Sequence, residues 1–143
     1  MQLYRGFSEI SERGVIVNKY IDTPREPRDS HINVHEVADA WFYEKFGIKA
    51  RSQTIFCTPD IDQAREYGTP YVVTVPKETD YKLIFSVNVK DFIEIEAAIS
   101  SVNSNDEIVR WLEGQSYSMV TSFQELPTEL DGEVMLYCAH YEV

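Results

Sequence analysis

The chain has 143 residues, with 24 Asp and Glu against 13 Lys and Arg, for a formal net charge of −11. That length fits one domain able to bury a core without staples, and the apolar fraction of 43% is that of an ordinary globular protein. The charge argues against non-specific binding of nucleic acid, and no apolar run is long enough to cross a bilayer.

In chain order, QLYR reads as a first strand that delivers Arg5 to Gly6, and GVIVNKY as a second. IDTPREPRDS follows, where Pro24 and Pro27 exclude a central strand. It is the most basic stretch, with Arg25 and Arg28, and the mixed charge of Arg28 and Asp29 suits a lid over a site. Asp29 or Ser30 can cap the next element. Val34, Val37, Ala38, Trp41, Phe42 and Phe46 recur at spacings of three and four, which predicts a helix ended by Gly47. His31 and His35 could share a metal ion, but no third ligand is adjacent, so both are read as helix-start decoration.

QTIFCT predicts a strand, and Pro59 or Asp60 opens a short helix with Ile61, Ala64 and Tyr67 inward and Gly68 at its end. TPYVVTVP, LIFSVNV and FIEIE read as further strands. Ser104 with Glu107 three residues on has the form of a capping box, opening a helix that stops at Gly114. SMVTS and EVMLYCAHYEV complete the strands. Helices falling irregularly among many short strands define an α+β class, with a mixed, mostly antiparallel split β-sheet flanked by about three helices. Residues 1–143 form a single domain on this reading. Cys57 and Cys138 both sit in apolar runs, as reduced core thiols do, and the expected location is cytoplasmic.

There is no P-loop, no G-x-G-x-x-G, no C-x-x-C and no nucleophile elbow. Two stretches can carry chemistry. In RSQTIFCTPDIDQAREYG, Ser52 and Thr58 bring hydroxyls to one sheet edge near a helix start, and Tyr67 offers a ring to a flat heterocycle. Simple core packing of Ala64 and Tyr67 fits the same periodicity. In DGEVMLYCAHYEV, Glu133 stands where a turn becomes a strand, a place both firm and reachable for stabilising a developing cation. A solvated glutamate at a strand start is the plainer alternative.

Together LYRG, the F-x-T-x-x-x-x-x-A-x-x-Y stretch and the late GEVML strand resemble the ADP-ribosyltransferase superfamily, in order and spacing over most of the chain. The resemblance implies that NAD is the substrate. It casts Arg5 as the ligand of a phosphate or ribose oxygen with Gly6 letting the backbone come close, Ser52 or Thr58 as a hydroxyl that orients the ribose or steadies the residues around it, Tyr67 as a wall for nicotinamide and Glu133 as the catalytic carboxylate. Arg51 and the Arg25/Arg28 loop would add positive charge against the overall −11. The toxin-like Ser-Thr-Ser signature is absent, and IFCTPDIDQAREY is nearer the poly-ADP-ribose polymerase pattern, whose first strand carries His rather than Arg. Asp131 stands two residues before Glu133, where other members have Glu or Gln.

The implied activity is mono-ADP-ribosyl transfer to a macromolecular acceptor, a protein ahead of a nucleic acid, by a small effector of phage or mobile-element type. Two other readings are an acidic, catalytically inactive inhibitor of a nucleic-acid-handling partner, and an NAD glycohydrolase with water as acceptor.

Overall fold

The computed structural model describes residues 1–9 and 13–143. Its largest sheet is built from β3 (Ile55–Cys57), β5 (Tyr81–Phe85), β6 (Ser118–Val120) and β7 (Val134–Cys138) in the order β3-β7-β5-β6. Two smaller pairings join β1 (Leu3–Phe7) to β4 (Thr69–Val73), and β2 (Val15–Val17) to β8 (His140–Glu142). Every described pairing is antiparallel. With helices α1 (Ile32–Phe46), α2 (Ile61–Arg65), α3 (Glu94–Ala98) and α4 (Asn105–Gly114), the chain is α+β.

Strand alternation divides the core into two. Ile84 and Met135 point to one face of the large sheet, where Val34, Ala38 and Phe42 of α1 and Ile108 and Leu112 of α4 cover them. Leu83, Phe85, Val134 and Leu136 point to the other face, against Leu3 of β1, Val73 of β4 and Tyr141 of β8. β7 therefore sits between two apolar layers. β1 touches the large sheet at one bridge, where the main chains of Tyr4 and Thr58 exchange hydrogen bonds of 2.7 and 2.9 Å. The surface opens beside that bridge, where β1 departs toward β4.

α1 carries the expected stripe, with Val34, Ala38 and Phe42 buried and Gly47 closing it in the left-handed region. Its cap is His31, whose Nδ1 accepts from the Asn33 amide, and not Asp29 or Ser30. α2 is capped by Asp60 as expected, but it ends at Arg65, so Tyr67 lies beyond it in the turn. Ser104 caps α4 by accepting from the Glu107 amide. The reciprocal half of the box is missing, because the Glu107 carboxylate accepts from the amide and hydroxyl of Ser100 instead. Gly114 is the last helical residue, and the left-handed residue after it is Ser116.

FIEIE is not a strand. The Glu94 carboxylate accepts the amides of Lys90 and Asp91, and Asp91 accepts the amide of Ile93, which winds the segment into α3. Phe92 and Ile95 then go inward at a spacing of three, leaving Ile93 37% exposed. A fourth helix replaces the expected strand. EVMLYCAHYEV is also broken in two at Ala139, whose carbonyl accepts from the Asn18 amide. Among the described residues, no helix is long and apolar enough to cross a membrane.

Candidate functional site

A cavity of about 580 Å³ opens where β1 leaves the large sheet. Arg5, Gly6, Thr58, Tyr67 and Glu133 all line it, along with Tyr20, Arg25, Arg28, Arg51, Phe56 and Phe92. Three segments far apart in sequence thus share one wall-to-wall space of the size that takes a small-molecule ligand.

Each side chain arrives by a local cause. Arg5 is on β1, its Nη1 donating to the Phe56 carbonyl at 3.3 Å, and its Nε is buried with no partner among the described residues. Gly6 has a reason beyond ligand access. A Cβ there would lie 2.0 Å from the Ala64 carbonyl oxygen, so the missing side chain is what lets α2 press onto β1. Thr58 directly follows β3, with its hydroxyl engaged by the protein itself. It donates to Gln63 Oε1 at 3.0 Å and accepts from the Asp60 amide at 3.1 Å.

Tyr67 is 42% exposed and stands at the rim, its hydroxyl donating to Asp91 Oδ2 at 3.4 Å. Burial, then the charges of Asp91 and Glu133, push its phenol up to about 12, so it remains a donor at neutral pH. Of the two packing alternatives, Ala64 is core and Tyr67 is not.

Glu133 directly precedes β7. Its amide donates to the Lys90 carbonyl at 3.0 Å, and Gly132 before it passes so close to Val89 that a Cβ would meet that carbonyl oxygen at 2.3 Å. The carboxylate is ion-paired with Arg51. Lys90, nearby, bridges Asp60 at the start of α2 and Asp131 at the turn before Glu133.

Ser52 does not line the cavity. It is buried, and its amide and hydroxyl both go to the Asp39 carboxylate of α1. Of the two roles the resemblance implies, this corrects the placing of Ser52 against the ribose and leaves that of steadying the loop before β3. Arg51 is corrected as well, from a free cation to the partner of Glu133.

The sequence names Arg25 and Arg51 only as cations and gives no sign of the rings of Tyr20, Phe56 and Phe92 beside them. Tyr20, Arg25, Phe56, Arg51 and Phe92 form a continuous stack. Arg25 Cζ lies 4.1 Å from the Tyr20 ring centroid and 3.8 Å from that of Phe56, and Arg51 Cζ lies 4.2 Å from Phe56 and 4.0 Å from Phe92. Arg25 further donates to the Thr54 carbonyl at 3.0 Å, and its amide to the Ser52 carbonyl at 2.8 Å. The loop from Asn18 to Ser30 is thereby tied to the cavity, and Arg28 and Asp29 are among its lining residues. His35 is also on that wall and buried rather than decorative, with an imidazole shifted down by burial despite the opposing charge of Asp39.

No protein-family model, no curated protein and no solved structure matches this chain.

Proposed function

We propose that the chain is a mono-ADP-ribosyltransferase with an ADP-ribosyltransferase-like fold, which uses NAD to modify a macromolecule. The observation that carries this is the joint lining of one cavity by Arg5, Thr58, Tyr67 and Glu133. The resemblance requires those four to meet, and nothing in an ordinary core does.

The cavity's chemistry suits a dinucleotide. Arg5 and Arg25 bring guanidinium charge that no carboxylate among the described residues neutralises by an ion pair, and Arg5 keeps a buried donor unused. Phosphate oxygens are the matching acceptors. Tyr67 at the rim and the rings of Phe56 and Phe92 suit a flat base and an apolar floor.

Glu133 would accept a ribose hydroxyl and stabilise positive charge as the bond from C1 to the nicotinamide nitrogen breaks. That electron pair neutralises the pyridinium. A lone pair of the acceptor then forms the new bond to C1, and the acceptor's proton leaves to solvent. Thr58 contributes by fixing the turn, since its own proton is already committed to Gln63. A protein acceptor fits better than nucleic acid for a chain of charge −11.

The test is incubation of the purified chain with labelled NAD and a cell lysate. Label should pass to macromolecules, and Glu133→Gln, checked by circular dichroism for retained fold, should lower transfer at least ~100-fold. Release of nicotinamide without transfer would favour the glycohydrolase. Absence of NAD turnover would leave the acidic inhibitor as the better reading.

A further inference from the structure

We infer that Arg51 is the positioning residue for the Glu133 carboxylate, its guanidinium packed against Phe56 and Phe92 so as to hold one carboxylate oxygen and leave the other to a ligand. The inference rests on the reading of Glu133 as the reacting carboxylate and adds what holds it.

Arg51 is held at both ends. Its amide donates to Asp39 Oδ1 at 2.9 Å, and the next amide, of Ser52, donates to the same oxygen at 3.1 Å. The Ser52 hydroxyl takes the other Asp39 oxygen, so α1 grips the main chain at two consecutive residues. At the far end, Nη1 donates to Glu133 Oε1 and lies 3.3 Å from Met135 Sδ, both on or beside β7. Two aromatic rings pack against the guanidinium, with Cζ 4.2 Å from the centroid of Phe56 and 4.0 Å from that of Phe92. With the residue only 7% exposed, little freedom is left for it to turn toward a phosphate.

Glu133, by contrast, has no other side-chain partner among the described residues, and its Oε2 accepts no hydrogen bond from them. A glutamate at a strand start has three soft torsions, and a catalytic geometry tolerates about 0.5 Å of error. The contact with Arg51 removes that freedom in advance. It does so at the expense of field, because a cation beside the carboxylate weakens its pull on positive charge at C1. The gain is therefore one of orientation, which predicts an effect on kcat rather than on KM.

The experiment compares the full-length wild type with Arg51→Lys, Arg51→Met and Asp39→Asn, each checked by thermal melting. NAD turnover is measured over a range of NAD concentrations, and crystal structures are determined for the wild type and Arg51→Lys. Lysine keeps the charge but lacks the planar group that packs against the rings. Expected are kcat losses of ~10-fold for Arg51→Lys and ~100-fold for Arg51→Met, with KM within ~3-fold of wild type. Asp39→Asn should give a smaller loss of the same kind, and the Glu133 carboxylate should be displaced or split between positions in the Arg51→Lys crystal.

A Glu133 that keeps its place in that crystal overturns the inference, as does a rise in KM at unchanged kcat. If Arg51→Met fails to fold, Arg51→Lys and Asp39→Asn decide. A wild type that turns over no NAD refutes the proposed activity, while the crystal comparison still decides the role of Arg51.

Discussion

Arg25 shows how much positive potential the cavity holds. Burial, then repulsion from Arg5, pushes its guanidinium down to about 10, and only the adjacent Tyr20 pulls it back. Burial would raise the Tyr20 phenol, but Arg25, Arg5 and Lys19 together outweigh it and bring it below its ordinary value of 10.0. The signs combine simply. As pH rises through about 10, Arg25 loses a positive charge and Tyr20 has gained a negative one, so both changes make the cavity less attractive to anions.

Binding of ADP-ribose, whose diphosphate bridge keeps the same charge throughout this range, should by calorimetry hold steady from neutral pH and weaken as pH approaches about 10. Arg25→Met should bind ~10-fold more weakly at neutral pH and lose most of this alkaline limb. An affinity that rises with pH would contradict the assignment. Sequence alone named Arg25 as an available cation, but not that its own loop folds back to stack it on Phe56. Contacts across thirty residues leave no local pattern to read.

Among the elements, those whose stop signals lie in their own residues were legible. α1 follows from its apolar stripe and Gly47, and α2 from Asp60. α3 was not, because Phe-Ile-Glu-Ile-Glu alternates as a strand does, and the deciding hydrogen bonds come from the Asp91 and Glu94 carboxylates folding back on the chain. The strand ends were misjudged for a related reason. Ser86 leaves the β5 ladder to donate to the Gln115 carbonyl, a partner 29 residues away.

Two glycines make opposite predictions at this scale. Gly6→Ala must push α2 off β1, so urea denaturation should show a loss of about 1–3 kcal/mol. Gly114→Ala fills open space at the end of α4 and should gain about 0.4–1 kcal/mol. Equal effects at the two sites would mean that the contact between β1 and α2 is loose.

Across the whole molecule, the formal charge of −11 lies mostly outside the cavity, where Arg5, Lys19, Arg25, Arg28 and Arg51 balance the carboxylates on the same wall, a separation that composition cannot show. The α+β class could be read from the sequence because strand and helix patterns are local. The convergence of Arg5, Tyr67 and Glu133 could be reached only through the order of motifs, since 128 residues separate the first from the last. Both thiols lie in the core layer opposite the helices, buried and unpaired, and burial pushes each up to about 12. A thiol reagent at pH 8 should therefore label neither cysteine in the native protein and both in urea. Rapid labelling of one thiol without denaturant would show that this layer opens locally.

The position of β7 has a consequence for how the site can vary. Flanked by β3 and β5 and covered on both faces, it should hold the amide protons that exchange last, with global melting. Glu133 is fastened to the first turn of that strand, so the acidic end of the cavity has the rigidity of the global fold. Arg25 and Arg28, by contrast, ride on a loop held by a few hydrogen bonds and ring contacts rather than by a sheet. Substitutions on the Asn18–Ser30 side can therefore reshape the cavity without touching the central strand, while any change beneath Glu133 acts on the core as well.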